Sequence, residues 1–251
     1  VAGSLVKEGA QPQPRPAATL VLVRGHGGPE GPLEVLLLRR TTRAVFARGA
    51  HVFPGGAVED ADRDPQIASL CADMTDEQAS RYLGIASGGL AYWVAAIRES
   101  FEEAGILMAY RSDDGNRSLL SLVDPAISRR FARYRKALQA GTLNLLELCR
   151  VEQLMLATDR LHYLSHRITP VGPPRRFDTR FFLAVAPDCQ PVAHDAAETT
   201  GSEWLTPGTA LERSRRGQMD ILPPQVQHLE LLERFSDVEA LLEALTGVSS
   251  P

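Results

Sequence analysis

Two short runs dominate the hydrophobic pattern near the start of the chain. "ATLVLVRG" (Ala18 to Gly25) and "LEVLLLRR" (Leu33 to Arg40) are apolar almost without interruption, and "HGGPEGP" separates them as a turn-rich loop. Buried strands read this way, so the pair predicts a hairpin. "HVFPGG" ends a third, short strand in a Pro-Gly-Gly turn. From Asp64 to about Gly88 the pattern turns helical, with Thr75 and Gln78 spaced as a capping box. A longer helix is read from about Gly89 to Ala109, and residues 119–164 read as mostly helical. Sheet character returns in "LHYLSHRITP" and "RRFDTRFFLAVAP", then in a short strand near Trp204. Helices are read in "PGTALERSRRG", "PPQVQHLELLERF" and "SDVEALLEAL". Residues 1–16, rich in Pro, Gly and Gln, read as a flexible arm. The pattern is α/β (α+β), with helices inserted between strands.

Composition narrows the classes. The 251 residues are 44% apolar and 23% charged, enough chain for one substantial core. A net charge of −4 provides no excess of cations for nucleic acid or a membrane surface. No run approaches the roughly 20 apolar residues of a membrane span, and no signal-peptide core is present. Cys71, Cys149 and Cys189 form no CxxC pair and read as reduced thiols, which points to a cytoplasmic protein.

Candidate chemistry sits in "YWVAAIRESFEEAGIL" (Tyr92 to Leu107). Glu99, Glu102 and Glu103 are spaced i, i+3, i+4, so a helix places them on one face, with Val94, Ile97, Phe101 and Ala104 opposite. Alone, that is the solvated face of an amphipathic helix. Three like charges together would be relieved by a divalent cation, and oxygen-only ligands suit Mg²⁺ or Mn²⁺. Arg98 is placed to pair with a carboxylate. His162 and His166 share an i, i+4 spacing but lack the glutamate of an HExxH motif.

Together, "FPGG" and "RESFEEAGI" resemble the Nudix signature G-x5-E-x7-R-E-U-x-E-E-x-G-U, where U is aliphatic. Gly56 matches the first Gly, Asp62 stands where the signature has Glu, and Ser100 stands at the first U. The halves lie 35 residues apart instead of seven, an insertion of 28. The coenzyme A diphosphatase-like branch of the family carries such an insertion, and "LLLRRTTRAVFARGAHVFPGG" is similar to its upstream run. The resemblance implies a Nudix α/β/α sandwich over residues 17–251, with a mixed sheet and helical insertions at about 63–88 and 115–160. It implies a hydrolase using Mg²⁺ or Mn²⁺ to cut a nucleotide-type diphosphate: coenzyme A or acyl-coenzyme A first, ADP-ribose or NADH second. A nucleotide-sensing module without catalysis is a third reading. By position in the motif, Glu99, Glu102, Glu103 and the Gly55 carbonyl would hold metal. Glu99 would also serve as base, and Arg98 would hold the glutamates. Glu198, ahead of Glu203, is the candidate for a further carboxylate ligand. Arg40, Arg43, Arg48 and Arg176 are candidates for the substrate phosphates, with Arg175 and Arg180 nearby; Phe46 or Phe177 could stack on adenine. A homodimer is allowed by the family pattern, though no residue decides it.

Overall fold

A computed structural model describes residues 12–28, 30–41, 48–112, 117–193 and 199–247. Its strands are β1 (Arg15–Gly25), β2 (Leu33–Arg40), β3 (His51–Val52), β4 (Gly55–Ala57), β5 (Ala109–Arg111), β6 (Leu154–Leu156), β7 (His162–Ile168), β8 (Phe177–Val185) and β9 (Thr199–Leu205). Its α-helices are α1 (Asp76–Leu83), α2 (Leu90–Ala104), α3 (Pro125–Gln139), α4 (Leu145–Glu152), α5 (Pro207–Arg215), α6 (Pro223–Leu232) and α7 (Val238–Gly247). Seven strands form one mixed sheet running β3-β2-β1-β8-β7, with β4 also on β1 and β9 also on β2. The central pair, β1 and β8, is parallel. The sheet is covered on both faces, which is why β1 is an unbroken apolar run. Leu20 and Leu22 enter the core beneath α2; Val21 and Val23 enter a second core with residues of α5, α6 and α7. The result is the expected α/β/α sandwich.

Local signals are realised where they are self-contained. Thr75 Oγ1 accepts from the Gln78 N–H, and the Gln78 side chain accepts from the Thr75 N–H. β2 spans the residues read from the sequence and pairs with β1 as the second arm of a hairpin.

Three expectations are corrected. The helix read to Ala109 stops at Ala104, because Gly105 turns left-handed at φ 74°; Ala109–Arg111 then becomes β5. The helical reading of residues 119–164 breaks after Glu152, where Gln153 takes φ 52° and Leu154–Leu156 pairs with β5. Short apolar runs carry no period that separates strand from helix, so the partner strand decides. Arg15 and Pro16, read as part of the arm, belong to β1, and the Arg15 N–H donates to the Arg176 carbonyl at 2.9 Å. Residues 63–88 hold the 3-10 turn Pro65–Leu70 and α1; residues 117–160 hold α3, α4, β6 and the 3-10 turn Thr158–Arg160. Among the described residues, no helix is long and apolar enough to cross a membrane.

Candidate active site

Helix α2 is fixed at both ends by elements distant in sequence. At its start, the Asp76 carboxylate accepts from the N–H groups of Gly88 (2.9 Å) and Leu90 (3.0 Å). At its end, Arg135 of α3 donates from Nε to the Glu102 carbonyl (2.8 Å) and from Nη2 to the Glu103 carbonyl (2.9 Å), and Gln139 also reaches the Glu102 carbonyl. A cation on the last carbonyls of a helix satisfies its unpaired acceptors and complements its negative end. Ser100, the departure from the aliphatic signature position, donates from Oγ to the Ile106 carbonyl at 2.9 Å, so its hydroxyl is satisfied in the core.

The acidic face is not the solvated surface that spacing alone suggests. Every residue of α2 except Glu102 is buried, Arg98, Glu99 and Glu103 included. Arg98 is the hub. It forks onto Asp62, Nε to Oδ1 and Nη2 to Oδ2, both at 2.9 Å. It also donates to the Ala57 carbonyl (2.8 Å), Glu99 (2.9 Å) and Glu102 (3.3 Å). Asp62 is therefore well placed despite being one methylene shorter than the signature Glu. Its Oδ2 also accepts from the Glu59 N–H at 2.8 Å. Burial works against the Arg98 charge, but hydrogen bonds to Asp62 and the fields of Glu99, Asp62 and Glu102 raise its pKa all the same.

Burial pushes the Glu99 carboxyl up to about 8; Arg98 opposes this, while Glu103 and Glu102 add to it. Glu102 is raised too, first by burial, with Glu59 and Asp62 contributing. A group of carboxylates that resists ionisation is one that a cation would relieve. Among the described residues, no three His, Cys, Asp or Glu side chains are gathered as a ready-made cage. Glu99 and Glu102 are turned to Arg98, and Glu103 Oε2 accepts from the Gly55 N–H at 2.9 Å. The donors nevertheless fit a hard divalent cation: all are oxygens, and all stem from one helix face.

The Gly-Gly pair, read as a turn from the sequence, instead opens strand β4 on β1, and close approach requires it. A Cβ on Gly55 would lie 2.7 Å from the Ala18 carbonyl oxygen, and one on Gly56 would lie 2.3 Å from Glu99 Oε1. Gly56→Ala should therefore displace the Glu99 carboxylate without disturbing the sheet. The expected result is a Mn²⁺ affinity reduced roughly 10- to 100-fold, the range for groups that orient ligands. Electron paramagnetic resonance titration of free Mn²⁺ measures it; unchanged affinity would remove Glu99 from the metal set.

The other sequence candidates are distributed unevenly. Arg40 is at the site, its Nη1 3.9 Å from Glu103 Oε1. Arg48 is exposed in the turn before β3. Arg43, Phe46 and Glu198 lie outside the described residues. Arg176 donates to the carbonyls of Thr169 (3.0 Å) and Pro12 (3.3 Å), stitching the start of β8 to neighbouring backbone. Arg180 is buried beside the Tyr92 ring. Glu203 pairs across β2 with Leu37, which belongs to the far core, and its carboxylate takes Arg213 at 2.8 Å. That orientation removes it as a competitor to Glu198. His162 and His166 lie on strand β7, and His166 bonds Asp178. Arg135 and Gln139 had no signal in the sequence beyond a polar position on a helix.

A cavity of about 400 Å³ adjoins Arg98 and Glu102, between α2 and the α3–α4 connection. A larger one, about 550 Å³, is lined by Arg39, His51, Glu203 and the α5–α6 connection and contains none of the α2 carboxylates. The smaller is the one that bears on the chemistry.

The NUDT19 Nudix domain family matches residues 74–232. Acyl-coenzyme A diphosphatase NUDT19 of Homo sapiens is 30% identical, the match covering 93% of this chain and 72% of that protein. The Gallus gallus protein of the same name is 32% identical over 90% of this chain and 70% of its own length. Against the Xenopus laevis one, 29% identical, the chain spans 62% of the relative's length. A solved Nudix hydrolase from Alicyclobacillus acidocaldarius superposes with a TM-score of 0.68 at 26% identity, covering 93% of this chain and 97% of that one.

Proposed function

The chain belongs to the Nudix hydrolase family, and from that premise we propose that it hydrolyses the diphosphate linkage of coenzyme A or an acyl-coenzyme A. The products are 3′,5′-ADP and phosphopantetheine or its acyl form. The observation that carries the reading is the buried carboxylate face of α2, set against Gly55 and Gly56 and organised by Arg98. The relatives named acyl-coenzyme A diphosphatase support the substrate class.

Nudix hydrolases generally use divalent metal ions. Bound Mg²⁺ or Mn²⁺ would neutralise the diphosphate oxygens and acidify water. Glu99, Glu102, Glu103 and the Gly55 carbonyl are the proposed ligands, with Glu198 as a further carboxylate. Glu99 orients the attacking water and takes its proton. Water adds its oxygen to one phosphorus, the bridging P–O bond breaks, and the leaving phosphate carries the electron pair away. Arg98, fixed by Asp62, holds the rotamers of Glu99 and Glu102. Arg40, beside Glu103, meets a substrate phosphate, and Arg43 and Arg48 are proposed to do so from the neighbouring loop.

The test is a panel of coenzyme A, acetyl-coenzyme A, ADP-ribose and NADH with Mg²⁺ or Mn²⁺, products separated by chromatography. Release of 3′,5′-ADP from coenzyme A is expected. Turnover of ADP-ribose with intact coenzyme A would reject the substrate.

A further inference from the structure

The cavity beside Arg98 has two unlike walls. One is carboxylate: Glu59, Asp62 and Glu102, with Glu147 across from them. The other is the α3–α4 connection, where half-buried Leu143 offers aliphatic surface, backed by the buried Leu138 and Leu145, and Thr142 offers a hydroxyl. Among the described residues, Arg98 is the one cation on the lining, and its guanidinium is already engaged by Asp62, Glu99 and Glu102. A phosphate group entering here would be drawn out of water to face Glu59 and Glu147, carboxylates outside the proposed metal set, an unfavourable exchange. Across the carboxylate face the sign reverses: Arg40 approaches Glu103 from β2. The two ends of the site therefore discriminate by charge.

We propose that this cavity receives the uncharged, amide-bearing alkyl arm of the substrate, while the phosphorylated nucleoside half extends toward Arg40. The inference rests on the coenzyme A reading above and adds to it which half goes where. Its physical basis is complementarity. The arm has methylenes and methyls for Leu143 and the edges of Leu138 and Leu145 behind it, and amide N–H groups that Glu59 and Thr142 can accept. It carries no charge to be repelled. The volume lies within the range of roughly 300 to 1,000 Å³ typical of small-molecule pockets. The α3–α4 connection is thereby the specificity-determining wall.

Thr142 is exposed on that wall, so Thr142→Trp narrows the cavity at a position that tolerates a large side chain. The two products probe the two ends separately, as competitive inhibitors of coenzyme A cleavage or, failing cleavage, as ligands in calorimetry. The expected result is an inhibition constant for 4′-phosphopantetheine raised roughly tenfold or more, the scale for steric exclusion in a pocket, with that for 3′,5′-ADP unchanged. The unchanged value also shows that the variant is folded. An equal rise for both, a rise for 3′,5′-ADP alone, or no change would overturn the assignment. Should wild-type protein leave coenzyme A intact, the proposed function fails on that assay, whereas the assignment of halves fails only on the inhibition or binding pattern.

Discussion

Replacing Glu102 with Gln is expected to lower kcat/KM for diphosphate cleavage by a factor on the order of 10² to 10³, with little change in melting temperature. Glu102 is the one residue of α2 that is not buried, and its contact with Arg98, at 3.3 Å, is the longest that Arg98 makes. Removing its charge leaves Arg98 held by Asp62, Glu99 and the Ala57 carbonyl. It also relieves repulsion, since burial and the neighbouring carboxylates already hold the Glu102 pKa above its ordinary value. The fold therefore loses little, within about 1 kcal/mol. Catalysis loses a metal ligand, and charge stabilisation at phosphate oxygens is the largest contribution such a site makes. Steady-state kinetics beside a thermal melt decides it: full turnover in this variant would sink the metal assignment for Glu102.

Arg98→Met is expected to act in the opposite way, through stability. The guanidinium side chain is 4% exposed and satisfies Asp62, itself 2% exposed, together with Glu99 and Glu102. Taking away one partner of a buried ion pair leaves uncompensated charge, costing about 3–5 kcal/mol. For a chain of this length that corresponds to a fall of roughly 10 °C in melting temperature. Adding Asp62→Leu should recover part of the loss, because the most deeply buried carboxylate is then gone as well. A melt of Arg98→Met within a degree or two of wild type would show that Arg98 is not the hub of this site. The two variants together separate the chemistry of the carboxylates from the architecture that holds them.

Much of this arrangement can be read in one dimension because its signals are local. The capping box at Thr75 and Gln78, the apolar runs of β1 and β2, and the glutamates at i, i+3, i+4 each need only a few neighbouring residues and a known repeat. The stretch from Gly56 to Asp62 and "RESFEEAGI" can be joined across 35 intervening residues because their internal spacing survives the insertion. Where a segment is short and apolar, as at Ala109–Arg111 and Leu154–Leu156, the period fails, and each becomes a strand because the other is present to pair with it.

By itself, the sequence determined the family, the sandwich of strands and helices, and the face on which three carboxylates would meet. Tertiary structure alone decided how that face is managed. Burying α2 turned a surface of glutamates into a low-dielectric cluster, where burial first, then Glu103 and Glu102, raise Glu99, and Arg98 opposes them. It brought Asp62 back to Arg98, set Arg135 on the carbonyls of Glu102 and Glu103, and turned Glu203 to the far side of the sheet. Those contacts join residues 10 to 36 positions apart, and no local period encodes which distant partner will fill a given space. The physical reason is that periodicity assigns each side chain a direction, whereas its partner and its dielectric are set by whatever packs against it.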